Sequence, residues 1–386
     1  MKSISILVVF VFISLHSYSQ TFNPFYSDIV ENTSENNLLN DLNTYTGFGI
    51  KEVGTTALTN AENWIVNRYQ TLGYSDVQLQ SFTYASGTSN NIIVTKTGTV
   101  YPNTYIIIDG HYDSITGVGA NDNGSGTVLL LELARLLKDV ETEYSIKFIH
   151  FSGEEDGLVG SSYYVNNTVI PQDMDIRLVF NIDEVGGLAG TNNDTIVCER
   201  DLSSPFSNNA ASDTFTNSLA TLIELYSTLN TEISYAYASD YIPFENNGEV
   251  ITGLFEKNET PYAHTINDVI SNMDVPYLTQ VTKGALGATL EFALAYETLS
   301  LETSNAFNNQ ISISPNPFSK ELYINFKQPL KNNIEFKLID MHGKDIYNDV
   351  LTEQRQILSI DNLATAQYLA VFKSNNQRYI KTLIVE

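Results

Sequence analysis

The sequence predicts an α/β domain with a mostly parallel mixed sheet flanked by helices, followed by a small all-β sandwich. Three observations point there. Apolar runs rich in β-branched residues do not alternate with polar ones, as strands buried on both faces require. A leucine-rich helical pattern separates the first two runs, the strand–helix–strand order of a layered α/β fold. Near residue 311 the charge balance changes and the later strands become short and alternating.

The elements come in order. Residues 60–72 have a helical pattern. "TYIIIDG" (104–110), "SIKFIHFSG" (145–153) and "IRLVFNID" (176–183) are the buried-strand candidates. Between the first two lies "GTVLLLELARLLKDV" (126–140), where Leu129, Leu130, Leu133, Leu136 and Leu137 fall at helical spacing. Residues 216–229 and "VTKGALGATLEFALAYETL" (281–299) are further helices. From residue 311 onward nine Lys/Arg nearly balance eight Asp/Glu, whereas the whole chain carries a net charge of -25. "LETSNAFNNQ" (301–310) is polar and linker-like. The expected organisation is a signal segment at 1–19, a main domain at 20–300, a linker at 301–310 and a β-sandwich at 311–386. Asn375-Asn376 marks a hairpin turn in the last of these.

At 386 residues with 42% hydrophobic side chains, the chain is long enough to bury a large core. Its strong negative charge disfavours nucleic acid and anionic membranes as partners. "MKSISILVVFVFISLHSYSQ" has Lys2, a short apolar stretch and a Ser-Tyr-Ser cleavage site, the pattern of a secretory signal. No cysteine follows it to carry a lipid anchor, and no later stretch is apolar enough to span a bilayer. Cys198 is the only cysteine, so no intrachain disulfide forms. A small core residue is its ordinary role.

Ligand sites in open α/β sheets lie beyond the carboxyl ends of the strands, and polar residues collect there. The first strand ends in "DGHYDS" with His111 and Asp113, then "GVGANDNGSGT" with Asp122. The second ends in "FSGEEDGLVGS" with Glu154 and Glu155, the third in "NIDEVG" with Asp183. "TPYAHTINDV" adds His264. Singly, each is ordinary: an aspartate in a Gly/Asn loop forms turns, and paired glutamates make a solvated face. Jointly they make a metal site. Of the five histidines, only His111 and His264 sit in polar loops of the main domain, while His150 lies inside a strand as a structural residue.

Two imidazoles with several carboxylates suit zinc better than magnesium. Asp122, Glu155 and Asp183 bring three negative charges toward two Zn2+, which leaves Glu154 as a base. Zinc lowers the pKa of a bound water to about 7, and a neighbouring carboxylate can take that proton and pass it to a leaving amine. Asp113 is spaced to accept the second N–H of the His111 ring.

With these residues assembled, the chain resembles the bacterial leucyl-aminopeptidase and aminopeptidase Y family of co-catalytic zinc exopeptidases, from about residue 35 to 300. The motifs are "HYDS", "GANDNGSGT", "FSGEEDGLVGS", "NIDEVG", "ASDYIPF" and "YAHTINDV", in the family's order. The resemblance implies that His111 and Asp183 bind one zinc, that Glu155 and His264 bind the other, that Asp122 bridges them, and that Glu154 is the general acid/base. It implies a mixed sheet flanked by helices and peptide substrates with a free N-terminus. Tyr241 stands where many relatives carry histidine, and Tyr235 and Tyr237 are candidates for the tyrosine that stabilises the oxyanion in some of them. The tail resembles the C-terminal sorting domain of type IX secretion substrates through "SISPNPFS", "LIDMHGKDI" and "QYLAVF…YIKTLIVE", with Gln367 in place of a usual glycine.

The expectation is therefore a secreted or cell-surface dizinc aminopeptidase, a monomer whose partners are peptides and the type IX secretion machinery. The alternatives are another exopeptidase of the same clan, a glutaminyl cyclase working with a single zinc, and a non-catalytic surface binding protein.

Overall fold

The computed structural model describes residues 21–297, 311–330, 332–340, 344–361, 363–374 and 377–386. The expected signal segment and linker, and Asn375-Asn376, lie outside these residues. The chain divides into two compact units, Met1–Glu297 and Thr298–Glu386.

The first unit is built on an eight-stranded sheet in the order β1-β2-β5-β3-β6-β9-β7-β8. Its strands are β1 (Val77–Tyr84), β2 (Gly87–Lys96), β3 (Tyr101–His111), β5 (Tyr144–Phe151), β6 (Asp175–Ile182), β7 (Thr195–Arg200), β8 (Asn230–Tyr235) and β9 (Ile251–Glu256). A two-stranded ribbon of β4 (Glu141–Thr142) and β10 (Ala295–Tyr296) stands apart. The four central strands, β5, β3, β6 and β9, run parallel to one another, and antiparallel pairings flank them. The three buried runs of the sequence become three of these four. Of the outer strands, β1 is "VQLQSFTY", half exposed, whereas β2 carries a short buried run of Ile92, Ile93 and Val94.

Successive side chains of the central strands serve two cores, as strand pleating demands. Ile106, Ile108, Phe148 and Phe180 join one apolar cluster, while Ile107, Ile149 and Val179 join the other. The larger core is closed by α1 (Pro24–Val30), α2 (Glu35–Gly47), α3 (Thr56–Thr71), α4 (Gly124–Leu137), α7 (Asn209–Tyr226) and α9 (Val275–Phe292). The smaller is closed by α5 (Val159–Tyr164), the π-helical turn Val165–Val169 that leads into α6 (Ile170–Gln172), and α8 (Ile242–Asn247).

The leucine helix departs from the expected stripe. In α4, Leu129, Leu130, Leu131, Leu133 and Leu137 are all fully buried, because α2, α3 and α9 cover the faces turned away from the sheet. Each buried leucine contributes about 1.5–3 kcal/mol. Glu132 on this helix is also buried and accepts from Arg135 (2.7 Å) and the Ser34 N–H (2.8 Å). The last helix starts earlier than its apolar pattern, because the Asp274 side chain caps the Tyr277 N–H and Pro276 sits in the first turn. It ends at Phe292, where Leu294 turns left-handed (φ 49°) and the chain enters β10.

The second unit has two antiparallel sheets: β11 (Ile311–Ser314), β12 (Glu321–Phe326) and β15 (Arg355–Ser359) in one; β14 (Asp345–Leu351), β13 (Ile334–Ile339), β16 (Gln367–Ser374) and β17 (Gln377–Ile384) in the other. Phe318, Leu322, Ile324, Phe336, Leu338 and Phe372 belong to one apolar cluster drawn from both sheets. This is the all-β architecture that the alternating tail pattern predicts.

The glycine-rich loop before α4 exists because backbones meet there. A Cβ on Gly126 would lie 2.5 Å from the Ile182 carbonyl oxygen and 2.5 Å from Asn123 Oδ1. Gly126→Ala should therefore force α4 off the end of β6 and lower stability by about 1–3 kcal/mol, read as a drop in thermal midpoint by circular dichroism. An unchanged midpoint would refute the close approach.

Candidate metal centre

Four connections at the carboxyl ends of the parallel strands, one of them leading into α4, bring the acidic and histidine residues together. His111 is the last residue of β3. Asp122 precedes α4, whose N-cap Asn123 accepts the Gly126 N–H (2.9 Å) through Oδ1 and donates its Nδ2 to the Ile182 carbonyl (2.8 Å). Glu154 and Glu155 follow β5, Asp183 follows β6, and His264 (φ 56°) lies between β9 and α9. The Asp122–Asn123 peptide is cis.

The side chains converge on Asp122. Its Oδ1 is 3.2 Å from His111 Nε2 and its Oδ2 is 3.1 Å from His264 Nε2. Asp183 Oδ1 is 3.4 Å from His111 Nε2, and Glu155 Oε2 is 2.8 Å from His264 Nε2. Each imidazole thus has its own second carboxylate, and the two share Asp122. Ligand atoms of His111, Asp122 and Glu155 all lie within 4.8 Å of one another. His111 and Asp122 are almost completely buried, whereas the His264 side chain is 56% exposed, so the cage opens on that side.

The donor set fits divalent cations. Asp183 Oδ1 is buried and has no hydrogen-bond partner, which leaves a lone pair for a metal. Ser239 Oγ donates to the other oxygen, Asp183 Oδ2 (2.7 Å), and so holds the carboxylate in place. The imidazoles and carboxylates offered here are hard and borderline ligands of the kind zinc accepts.

Asp113 is buried behind the cage. Its carboxylate accepts the N–H groups of Glu154 (3.4 Å) and Glu155 (3.3 Å). His111 Nδ1 lies 3.3 Å from the Asp113 backbone oxygen and 3.7 Å from its carboxylate. The ring therefore leans on the main chain of residue 113, while the side chain steadies the Glu154–Glu155 turn.

Without cations the site is electrostatically frustrated. Burial raises Glu154 to about 7 and Glu155 to about 8. Burial also opposes ionisation of Asp122, but hydrogen bonds from His111 and His264 hold its carboxyl well below the usual range. The hydrogen bond to Asp122 lifts His264 to about 9. Burial works against charge on His111, yet Asp183 and Glu154 outweigh it and raise its proton affinity.

Other residues singled out in the sequence fall elsewhere. His150 is buried with Nε2 2.9 Å from the Tyr69 hydroxyl, and burial lowers it to about 3, so it stays neutral. Cys198 is a buried core residue. Tyr241 is buried and donates to Glu199 Oε2 (2.9 Å), whereas Tyr235 and Tyr237 are more than half exposed. Sequence reasoning gave no role to Ser239, Asn121, Glu256 or Asp268. The last two are acids near His264 in the chain, but only their burial and their partners distinguish them from surface charge.

The sequence pattern described as Peptidase family M28 matches residues 91–289, and the secretion system C-terminal sorting domain matches residues 312–386. The sorting domain makes this a secreted or cell-surface protein, and among the described residues no helix is long and apolar enough to cross a membrane. Aminopeptidase YwaD of Bacillus subtilis (strain 168) is 31% identical over 60% of this chain and 48% of its own length. The chain thus spans about half the length of that relative. LapB from Legionella pneumophila shares the fold at 22% identity and a TM-score of 0.64, over 72% of this chain and 77% of its own. The glutaminyl cyclase of Macrostomum lignano shares it at 16% identity and a TM-score of 0.63, over 72% and 97%. Fold alone therefore does not choose between these chemistries.

In chelator-treated protein, Glu154, Glu155 and His264 bind protons more tightly folded than unfolded. The glutamates contribute stability that is full below their unfolded value of 4.5 and lost as pH rises through about 7 and about 8. For His264 the corresponding limits are 6.5 and about 9. The thermal midpoint should fall by several degrees, on the order of 5 °C, between pH 5 and 9, and saturating zinc should remove the fall. A midpoint that rises over this range would refute the assignment of charge.

Proposed function

Because the chain belongs to peptidase family M28, we propose that it is a secreted dizinc aminopeptidase that removes the N-terminal residue from peptides. The observation that carries this reading is Asp122, with one oxygen 3.2 Å from the ring of His111 and the other 3.1 Å from the ring of His264. A carboxylate shared in this way suits two cations side by side.

In this reading His111, Asp183 and Asp122 would hold one zinc, and Glu155, His264 and Asp122 would hold the second. When bound, the pair of zinc ions supplies Lewis acidity, activating water and polarising the scissile carbonyl. Glu154 takes the proton from the attacking water and delivers it to the leaving amine. Its place supports the role: it adjoins Glu155, and its N–H is held by the Asp113 carboxylate. Asp113 thus fixes where the base stands, and Ser239 fixes how Asp183 presents its oxygens. The acidic surroundings attract the α-ammonium of a free N-terminus and repel a free carboxylate, which favours aminopeptidase over carboxypeptidase action. A glutaminyl cyclase working with a single zinc would have no use for a second imidazole on the bridging carboxylate.

Glu154→Ala should keep both zinc ions, measured by elemental analysis, and lose about 10²–10⁴-fold in kcat on leucine p-nitroanilide. Activity that survives the change would refute the role of Glu154. A panel adding a C-terminally blocked peptide and an N-terminal glutamine peptide, each with and without chelator, separates the aminopeptidase from its alternatives. Ammonia release from the glutamine peptide without leucine release would overturn the aminopeptidase reading.

A further inference from the structure

Glu256 closes β9, is 1% exposed, and contributes nothing to the cage. Both of its carboxylate oxygens are committed. Oε2 accepts the Asn121 Nδ2 (3.0 Å) and the Gly187 N–H (2.6 Å), and Oε1 accepts the Thr260 N–H (2.7 Å). The three donors lie on three different loops. Asn121 immediately precedes Asp122, Gly187 comes four residues after Asp183, and Thr260 comes four residues before His264. Three of the five proposed metal ligands are therefore tied to one buried carboxylate.

Asn121 extends the tie. Its Oδ1 accepts the Gly186 N–H (2.7 Å), a second bond to the Asp183 loop. Its backbone N–H donates to Asp268 Oδ1 (2.8 Å), and Asp268 Oδ2 accepts the N–H of Asp122 itself (3.1 Å). Asp268 lies four residues after His264, so the same loop is fastened at both ends to the segment that carries the bridging residue.

From this arrangement we propose that Glu256 is a positioning residue: by joining the Asp122, Asp183 and His264 loops, it sets the spacing between the two metal positions. The inference rests on the dizinc reading and goes beyond it. The physical reason is that the three loops leave different strands and α4, and no local turn rule fixes the distance between them. A charged acceptor gives shorter and stronger hydrogen bonds than a neutral one, and burial makes breaking any of them costly. An amide in its place keeps the volume but turns an N–H2 toward at least one N–H donor, so one loop must come free. Because Thr260 is the sole donor to Oε1 whereas Oε2 takes two, the amide nitrogen turns toward Thr260, and the position served by His264 and Glu155 is the one that should loosen.

The test uses the full secreted chain and zinc itself. Wild type, Glu256→Gln and Asn121→Ser are stripped with chelator, and zinc uptake is measured by titration calorimetry, with kcat and KM for leucine p-nitroanilide measured alongside. Wild type should take up two ions. Glu256→Gln should bind its second ion about 10–100-fold more weakly and lose a similar factor in kcat, with KM changed less than about threefold. Asn121→Ser, which also frees the Gly186 N–H of the Asp183 loop, should weaken one ion more than the other and lower kcat more than it changes KM, and the double variant should lose less than the two single changes combined, because both remove the Asn121–Glu256 contact. Should Glu256→Gln give no cooperative melt, Asn121→Ser alone carries the test. Two ions bound with wild-type affinity in the variants would overturn this inference alone. Equal weakening of both ions, tracking the loss of metal-free stability, would make Glu256 a general structural residue and also overturn it. A wild-type chain that takes up no zinc would overturn the dizinc reading and this inference with it.

Discussion

The structure turns on the carboxylate of Asp122, whose two oxygens each face a different imidazole. Four acidic side chains, Asp122, Glu154, Glu155 and Asp183, meet two histidines in a largely buried space. Burying this many like charges without counterions costs several kcal/mol for each unmatched ion. Most of the surrounding architecture serves to hold that unfavourable assembly together. Each ring is paired with one private carboxylate and one shared carboxylate.

The sheet makes the convergence possible. Parallel strands deliver their carboxyl ends to one edge, so β5, β3, β6 and β9 lead their following loops to the same place. The apolar work is done lower in the strands, where Ile106, Phe148 and Phe180 pack on one side and Ile107, Ile149 and Val179 on the other. Chemistry and stability thus occupy different levels of the same strands. The glycine-rich loop before α4 is the junction between the levels. There the helix start must approach the end of β6 more closely than any side chain permits.

The polar network behind the cage is separate from the ligands. Asp113, Ser239, Asp268, Glu256 and Asn121 touch backbone N–H groups or ligand oxygens and hold each loop in one position. Such buried networks are costly when incomplete and rigid when satisfied. Every side-chain oxygen of Glu256, Asn121 and Asp268 accepts a hydrogen bond, so the loops that carry the His/Asp/Glu cluster are braced by the protein itself. The second unit, with its two small antiparallel sheets, covers the residues that match the secretion sorting domain.

The sequence alone determined the α/β class, the three central strands, the change of architecture in the tail and the residues that gather at the strand ends. Those features are written in local patterns: β-branched runs, leucine spacing, and polar residues just past each run. His150 was separable from His111 and His264 because one sits inside an apolar run and the others in polar loops. Tertiary structure alone decided the rest. That α4 is buried on nearly every side, with only Arg135 and Leu136 half-buried, depends on α2, α3 and α9 covering it, which no periodicity within α4 records. The edge strands β1 and β8 were not legible because their half-exposed sequences resemble loops. Asp113 was legible as a partner of His111 by spacing, but only the fold turned its side chain to the N–H groups of residues 154 and 155. Glu256 and Asp268 look like ordinary surface acids until folding buries them, because a hydrogen bond between residues more than a hundred positions apart leaves no trace in local sequence.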